Sequence, residues 1–267
     1  MQVFIANKKV NLSPSKIIGK GGEAEIYCLN KKEVVKLFKQ PNHIDFSQNL
    51  EAQKSAAERI QEHQTKLQQF PTNLPANILS PTALVQDKSS KILGYTMPYL
   101  QGTNALYRYG DRRFREQNGI DHQQVTKLFI QIHDTLKKIH QANIIVGDFN
   151  DLNILVEQNT PYFIDTDSWQ FKTFICQLFT ARFVDPLLCD RHLDYPQLSV
   201  THNTDSDWYA FAVMLFRSLL YVEPYGGIYK NKKIPQSARP LHRITVFNAD
   251  VKYPKPALPY KILMMIC

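Results

Sequence analysis

Cysteine is scarce in this chain. Cys28, Cys176, Cys189 and Cys267 are its four, with no C-x-x-C pair among them. That spacing suits neither a zinc framework nor a disulfide scaffold, and it fits reduced thiols in a cytosolic compartment. No apolar run approaches the roughly 18–20 residues of a membrane span. The opening "MQVFIANKKVNL" lacks the long apolar core and small-residue cleavage site of a signal peptide. A cytoplasmic protein without a membrane partner is therefore expected. Internal repeats and low-complexity linkers are absent too. Acidic side chains are the minority, 24 against 32 Lys and Arg, for a net charge of +8. Such an excess favours an anionic partner, whether nucleotide, nucleic acid or acidic surface, without choosing among them. What remains is ordinary: 43% hydrophobic and 21% charged residues in 267 describe a folded chain of one or two domains.

Along the chain, "QVFIA", "SKIIGKGG", "AEIYCL" and "EVVKLF" read as strands separated by Gly and Asn-Lys-Lys turns. Residues 46–70, rich in Gln, Glu, Lys and Ala without Gly or Pro, predict a helix. "ALVQDKSSKILGYTMPYL" reads as a hairpin. After a loop, Val125, Leu128, Phe129, Ile132, Leu136 and Ile139 recur at helical spacing over 121–141. "DWYAFAVMLFRSLL" is apolar nearly all round and predicts a buried helix. The Pro-rich, basic C-terminal end shows no clear element, and "YKILMMIC" reads as a segment cut off from its packing partner. The expected fold is α+β: a strand-rich lobe with one main helix over 1–100, then a mostly helical lobe over 101–267. Such a pair makes a cleft, the usual place for a ligand.

Four stretches carry chemistry. "IGKGGEAEIY" sets Gly19, Gly21 and Gly22 between two strands, a bare turn that lets backbone N–H groups approach phosphate oxygens. A plain hairpin uses the same residues. "EVVKLF" buries Lys36 in an apolar strand, costly unless an anion meets it; the bland alternative is the wet face of an edge strand. "GDFNDLNILV" crowds Asp148, Asn150, Asp151 and Asn153 before an aliphatic run. Turn formation alone would explain that. "YFIDTDSW" ends another apolar run on Asp165, with Asp167 two further on. A hairpin of the last two runs would bring Asn153 beside Asp165, hard oxygen ligands suited to Mg²⁺, with Asp148 nearby to take a hydroxyl proton.

Taken together and in this order, the stretches resemble the protein-kinase-like fold over roughly residues 15–225. "VGDFNDLNILV" looks like the catalytic loop, "FIDTD" like the magnesium-binding motif, "EVVKLF" like the strand of the ATP lysine, and "SDWYAFAVMLF" like the buried helix whose Asp, here Asp207, braces the loop. More narrowly, "VGDFNDLNILV" with "IDTDSWQ" is similar to a divergent bacterial serine/threonine kinase-like family. Its members often carry further domains and occur beside metal-dependent phosphatase-like proteins. The resemblance implies ATP and Mg²⁺ as cofactors, and a protein substrate or regulatory partner, a cognate phosphatase included. Lys36 would hold the α- and β-phosphates and Glu58 would pair with it. Asp148 would orient the acceptor hydroxyl, while Asn153 and Asp165 would hold magnesium, with Asp167 as a third ligand. Ile26, Val34 and Leu155 would sandwich the adenine, and the hinge, Met97 and Tyr99 included, would bond its edge. Asp151 is assigned to the turn.

Departures shape the expectation. Val146-Gly147 replaces His-Arg, so activation-loop phosphorylation loses its usual reason. Asn150 stands where serine/threonine kinases carry a Lys. "VDPLL" replaces A-P-E, and few residues follow the Asp207 helix, as in a shortened or incomplete helical lobe. A phosphotransferase acting on a serine or threonine hydroxyl is the leading reading; a small-molecule kinase and a pseudokinase acting as a nucleotide-binding or scaffolding module are the rivals. Nucleic-acid binding through Lys230, Lys232, Lys233, Arg239 and Arg243 ranks last, because a basic run is more often a solvated face.

Overall fold

A computed structural model describes residues 1–230 and 233–258. The chain divides into two compact units. The first, Met1–Leu74 with Leu79–Gln101, holds β1 (Gln2–Ile5), β2 (Lys8–Asn11), β3 (Ile17–Lys20), β4 (Ala24–Cys28), β5 (Glu33–Phe38), α1 (Leu50–Lys66), β6 (Ala83–Gln86) and β7 (Ile92–Pro98). All seven strands pair antiparallel in one sheet, ordered β2-β1-β6-β7-β5-β4-β3. One face buries Val3, Leu12, Tyr27, Val35, Leu37, Val85 and Leu93. On the other, Ala24, Phe38, Ile92 and Tyr95 pack with Ile60 and Leu67 from α1 and the turn after it. The expected strands and hairpin are present; β2, "KKVN", was not foreseen. Its two lysines and closing Asn mask a single half-buried valine, so the pattern offers no alternation.

The second unit, Pro75–Ile78 with 102–267, holds the small strand β8 (Asn104–Ala105), α2 (Arg112–Asn118), α3 (His122–Gln141), β9 (Ile144–Ile145), β10 (Ile154–Glu157), β11 (Thr160–Phe163), β12 (Gln170–Phe171), α4 (Thr204–Leu220), β13 (Ile228–Tyr229) and β14 (Val251–Lys252). The four residues 75–78 therefore leave the sequence stretch of the first unit for the second. Asn77 Nδ2 donates to Thr135 Oγ1 on α3 and to the Pro161 carbonyl on β11, both at 2.9 Å, and Ile78 bridges Phe163. Helix α3 buries the predicted stripe from Val125 to Ile139 and opens on a capping box, Asp121 with Gln124. Helix α4 is likewise boxed by Asn203 and Ser206. Beyond it the chain folds back: Val222, Val246 and Ala257 pack on Leu220, and β13 pairs with β14. The segment whose sequence shows no clear element thus closes part of a core. "YKILMMIC" and Lys232 lie outside the described residues. No helix among the described residues is long and apolar enough to cross a membrane.

Candidate functional site

In the second unit, the loop between β9 and β10 is held from below by α4. Asp207, wholly buried in the first turn of α4, accepts from the Val146 N–H at 2.8 Å, the Gly147 N–H at 2.9 Å and His140 Nε2 at 2.9 Å. Trp208 covers His140 edge-on, 5.4 Å between ring centroids. A carboxylate this desolvated is tolerable only because several donors meet it. Gly147 has φ +77, and a Cβ there would lie 2.7 Å from Cys176. Glycine is obligatory here by backbone and by space. The place where an arginine side chain would leave the loop is filled by Cys176 and His202.

Asp148 follows. Its carbonyl accepts from both carboxamides, Asn150 Nδ2 at 3.0 Å and Asn153 Nδ2 at 3.1 Å, and its Oδ1 accepts from Thr180 Oγ1 at 2.8 Å. Asn150 Nδ2 also reaches Thr180 Oγ1 at 3.2 Å. Thr180 went unnoticed in the sequence, where nothing in "LFTARF" distinguishes it; 32 positions separate it from its partner. The β10–β11 ladder runs from Glu157↔Thr160 to Ile154↔Phe163, and one more bond, Ile164 N–H to the Asn153 carbonyl at 3.0 Å, continues it. The hairpin therefore sets Asn153 opposite Ile164, one residue from Asp165. Asp165 itself is left-handed at φ +61, and its carbonyl takes the Ser168 hydroxyl at 2.8 Å. Asn153 spends its amide nitrogen on Asp148, which leaves its oxygen for another partner. The donor set thus fits a hard cation through Asn153 and Asp165. Asp167 is buried in the turn after Asp165. Among the described residues no group of three or more His, Cys, Asp or Glu side chains is set to hold a metal.

The turn itself belongs to Asn150, whose Oδ1 caps the Leu152 and Asn153 N–H groups at 3.0 and 3.2 Å. The Asp151 side chain, expected to make the turn, does not cap it. It is buried and Arg217 of α4 donates to Oδ2 at 2.6 Å. Burial pushes the Asp151 carboxyl above its ordinary value, with the Arg217 charge pulling the other way. Leu155 is half-buried in β10 between buried Ile154 and Val156. Where A-P-E was sought, Asp185 caps the short turn Pro186–Leu188, and Arg182 pairs with Glu223 at 2.7 Å.

In the first unit the register aligns Gly19, Ile26, Lys36 and Tyr95 in one row across β3, β4, β5 and β7, and Val34 stands opposite Met97. Directly opposed residues share a face, and so do residues two apart. Ile26, Val34, Lys36 and Met97 therefore project from one side of the sheet. The edge-strand alternative for Lys36 fails: β5 is flanked on both sides, and the buried Lys36 Nζ lies 5.9 Å over the Tyr95 ring. Tyr99 follows β7, and its N–H is committed to the Lys32 carbonyl at 2.8 Å. Gly94 faces Leu37; a Cβ there would fall 2.0 Å from the Lys36 carbonyl, so the close approach of β5 and β7 demands glycine. By contrast, a Cβ on Gly22 would meet nothing within 4 Å, and none of Gly19, Gly21 and Gly22 has positive φ. The fold does not require these three glycines.

The expected partner of Lys36 is not where it was sought. Helix α1 packs through Ala56, Ile60 and His63, continued by Leu67. At about 100° per residue, Glu51, Glu58 and Glu62 fall on the far side. Glu58 is 67% exposed and lies 3.8 Å from Lys54. The glutamate stripe was legible in the sequence, but not that the opposite stripe is the one that packs. Of the basic run, Arg239 is buried against the carbonyls of Tyr225, Gly226 and Gly227, and Lys230 pairs with Asp250. Arg239 serves the fold, while the Lys230–Asp250 pair is exposed to solvent. Compared with known proteins, the chain matches no family model and no curated protein.

Proposed function

We propose that the chain is an ATP- and Mg²⁺-dependent phosphotransferase of the protein-kinase-like fold, of the serine/threonine kind. The observation that carries the reading is the braced loop: Asp207 gripping the Val146 and Gly147 N–H groups, followed directly by Asp148, with Asn153 next to the hairpin that ends on Asp165. A turn would need none of this bracing. The cofactor pair supplies the transferable phosphoryl group and the charge that neutralises it. Asp148, with Oδ1 engaged by Thr180, keeps Oδ2 to accept the proton of an acceptor hydroxyl. Asn153 and Asp165 would hold the metal; Lys36 would hold phosphate, and the bare turn from Gly19 to Gly22 would admit phosphate close to the backbone. Ile26, Val34 and Met97, which share one face of the sheet, would meet the adenine. Catalysis would be positioning and electrostatics.

One observation favours a second reading, a nucleotide-binding pseudokinase: α1 turns no glutamate toward the face that carries Lys36. The test is transfer from labelled ATP, with and without Mg²⁺, to a generic protein, to the chain itself and to small alcohols. The enzyme reading expects Mg²⁺-dependent transfer that Asp148→Asn lowers roughly 10²–10⁴-fold while ATP binding persists. ATP-induced stabilisation without transfer selects the pseudokinase. No ATP-induced rise in melting temperature sinks both.

A further inference from the structure

Two cations hold the turn between β3 and β4, and one of them has donors to spare. Lys39, buried at the end of β5, donates through Nζ to the Gly21 carbonyl and pairs with Asp45. Its own N–H bonds the Glu23 carbonyl at 2.9 Å, and Gly21 N–H bonds the Ala24 carbonyl at 2.9 Å. These bonds fix the turn. Arg59, from α1, comes to the same turn and donates through Nη1 to Glu23 Oε1 at 2.7 Å. Its Nε and Nη2 are buried and make no hydrogen bond. A guanidinium carries five donors in a planar fork suited to oxyanions, and leaving charged donors buried without acceptors is costly. Of this fork, Glu23 meets Nη1 alone. One residue before Glu23, Gly22 leaves the space for a side chain open.

We propose that Arg59 is a phosphate-binding residue: its fork takes an oxyanion of a polyphosphate at the Lys20–Ala24 turn, and Glu23 occupies it when no anion is present. The inference rests on the nucleotide-binding reading of this unit for its ligand class, a nucleoside triphosphate, but not for the anion chemistry itself. It gives α1 a role its glutamates do not fill. The helix brings a cation to the glycine turn instead of a carboxylate to Lys36. Glu23 then competes with the ligand, and removing its charge should tighten anion binding. A purely structural Arg59–Glu23 pair predicts no such gain.

The experiment is calorimetric titration of the full chain with ATP, with tripolyphosphate and with adenosine, for wild type, Arg59→Gln, Arg59→Lys, Glu23→Gln and Lys36→Ala, each checked by a ligand-free melting curve. Arg59→Gln should weaken ATP and tripolyphosphate about tenfold or more and leave adenosine unchanged, the loss of one charge-assisted contact. Arg59→Lys should fall between, and Glu23→Gln should tighten both anions severalfold. If folded Arg59→Gln binds both anions like wild type, the proposal is overturned, while ATP binding lost only in Lys36→Ala keeps the nucleotide reading. If Arg59→Gln fails to fold, unchanged affinities in both Arg59→Lys and Glu23→Gln overturn it. Arg59-dependent tripolyphosphate binding with no preference for ATP upholds the proposal and removes the nucleotide reading. Wild type binding neither anion ends both.

Discussion

Gly147 and Asp151 sit four positions apart and fail in different ways when changed. Gly147→Ala must place a Cβ at positive φ against Cys176. A cost of about 2–4 kcal/mol in urea unfolding is expected from backbone strain plus overpacking. The same residue predicts that phosphatase treatment leaves any phosphotransfer on the proposed reading intact, because no arginine leaves the loop to meet a phosphate in the 168–186 segment. Asp151 is tested through its partner. Arg217→Met keeps the stem against Gly110 but strips the counter-charge from a carboxylate that burial already disfavours. At about pH 7 the variant should lose about 3 kcal/mol. Its folded state then holds the Asp151 proton to higher pH than the unfolded chain does. The variant therefore loses stability as pH rises through that window and recovers toward wild type on acidification. A stability difference that stays flat from about pH 4.5 to 7 would refute the pair. At this scale the sequence was half legible. Asp148, Asn153, Asp165 and Asp207 announce themselves by order and spacing. That Asn150 and not Asp151 caps the turn is not legible, because which of two neighbouring polar residues does so depends on what lies across the fold, here Arg217, 66 positions away.

The glycine turn and β7 make a controlled comparison between elements. Gly22→Ala meets no atom within 4 Å, so stability should hold or rise by about 0.4–1 kcal/mol through the unfolded chain. ATP affinity should still fall if phosphate approaches that backbone. Gly94→Ala should lose stability and ATP affinity together, since its Cβ would collide with the Lys36 carbonyl and part β5 from β7. Equal ATP affinity in wild type and Gly22→Ala would remove the turn from the site. For α1, Glu51→Gln, Glu58→Gln and Glu62→Gln should each leave ATP affinity unmoved, because all three are exposed. Elements with strong periodicity were readable: β5, the β6–β7 hairpin, α3 and α4. The short helix α2 was not, since its seven residues "RRFREQN" bury only Phe114 and Arg115 and give no repeat to detect. β8, two residues long, borrows its hydrogen bonds from the longer β10, and β9 pairs only with the equally short β12.

Over the whole molecule, the sequence placed one boundary near residue 100 and had no means of placing the others. Pro75–Ile78 is a loop by composition, between Pro71 and Pro81, and only its contacts assign it to the second unit. Asn77→Ala should therefore destabilise the second unit by about 1–2 kcal/mol through the loss of two hydrogen bonds, measurable by hydrogen exchange on α3 and β11. The backbone passes from one unit to the other three times, after Leu74, after Ile78 and after Gln101. A protease that nicks one of these crossings cannot liberate either half. Cleavage after Gln101 should give two bands on a denaturing gel and a single particle on a sizing column, since residues 75–78 stay stitched to β11 while still covalently part of the upstream fragment. Separation needs all three crossings cut, and for the same reason new termini placed at any one of them by circular permutation leave two ties intact.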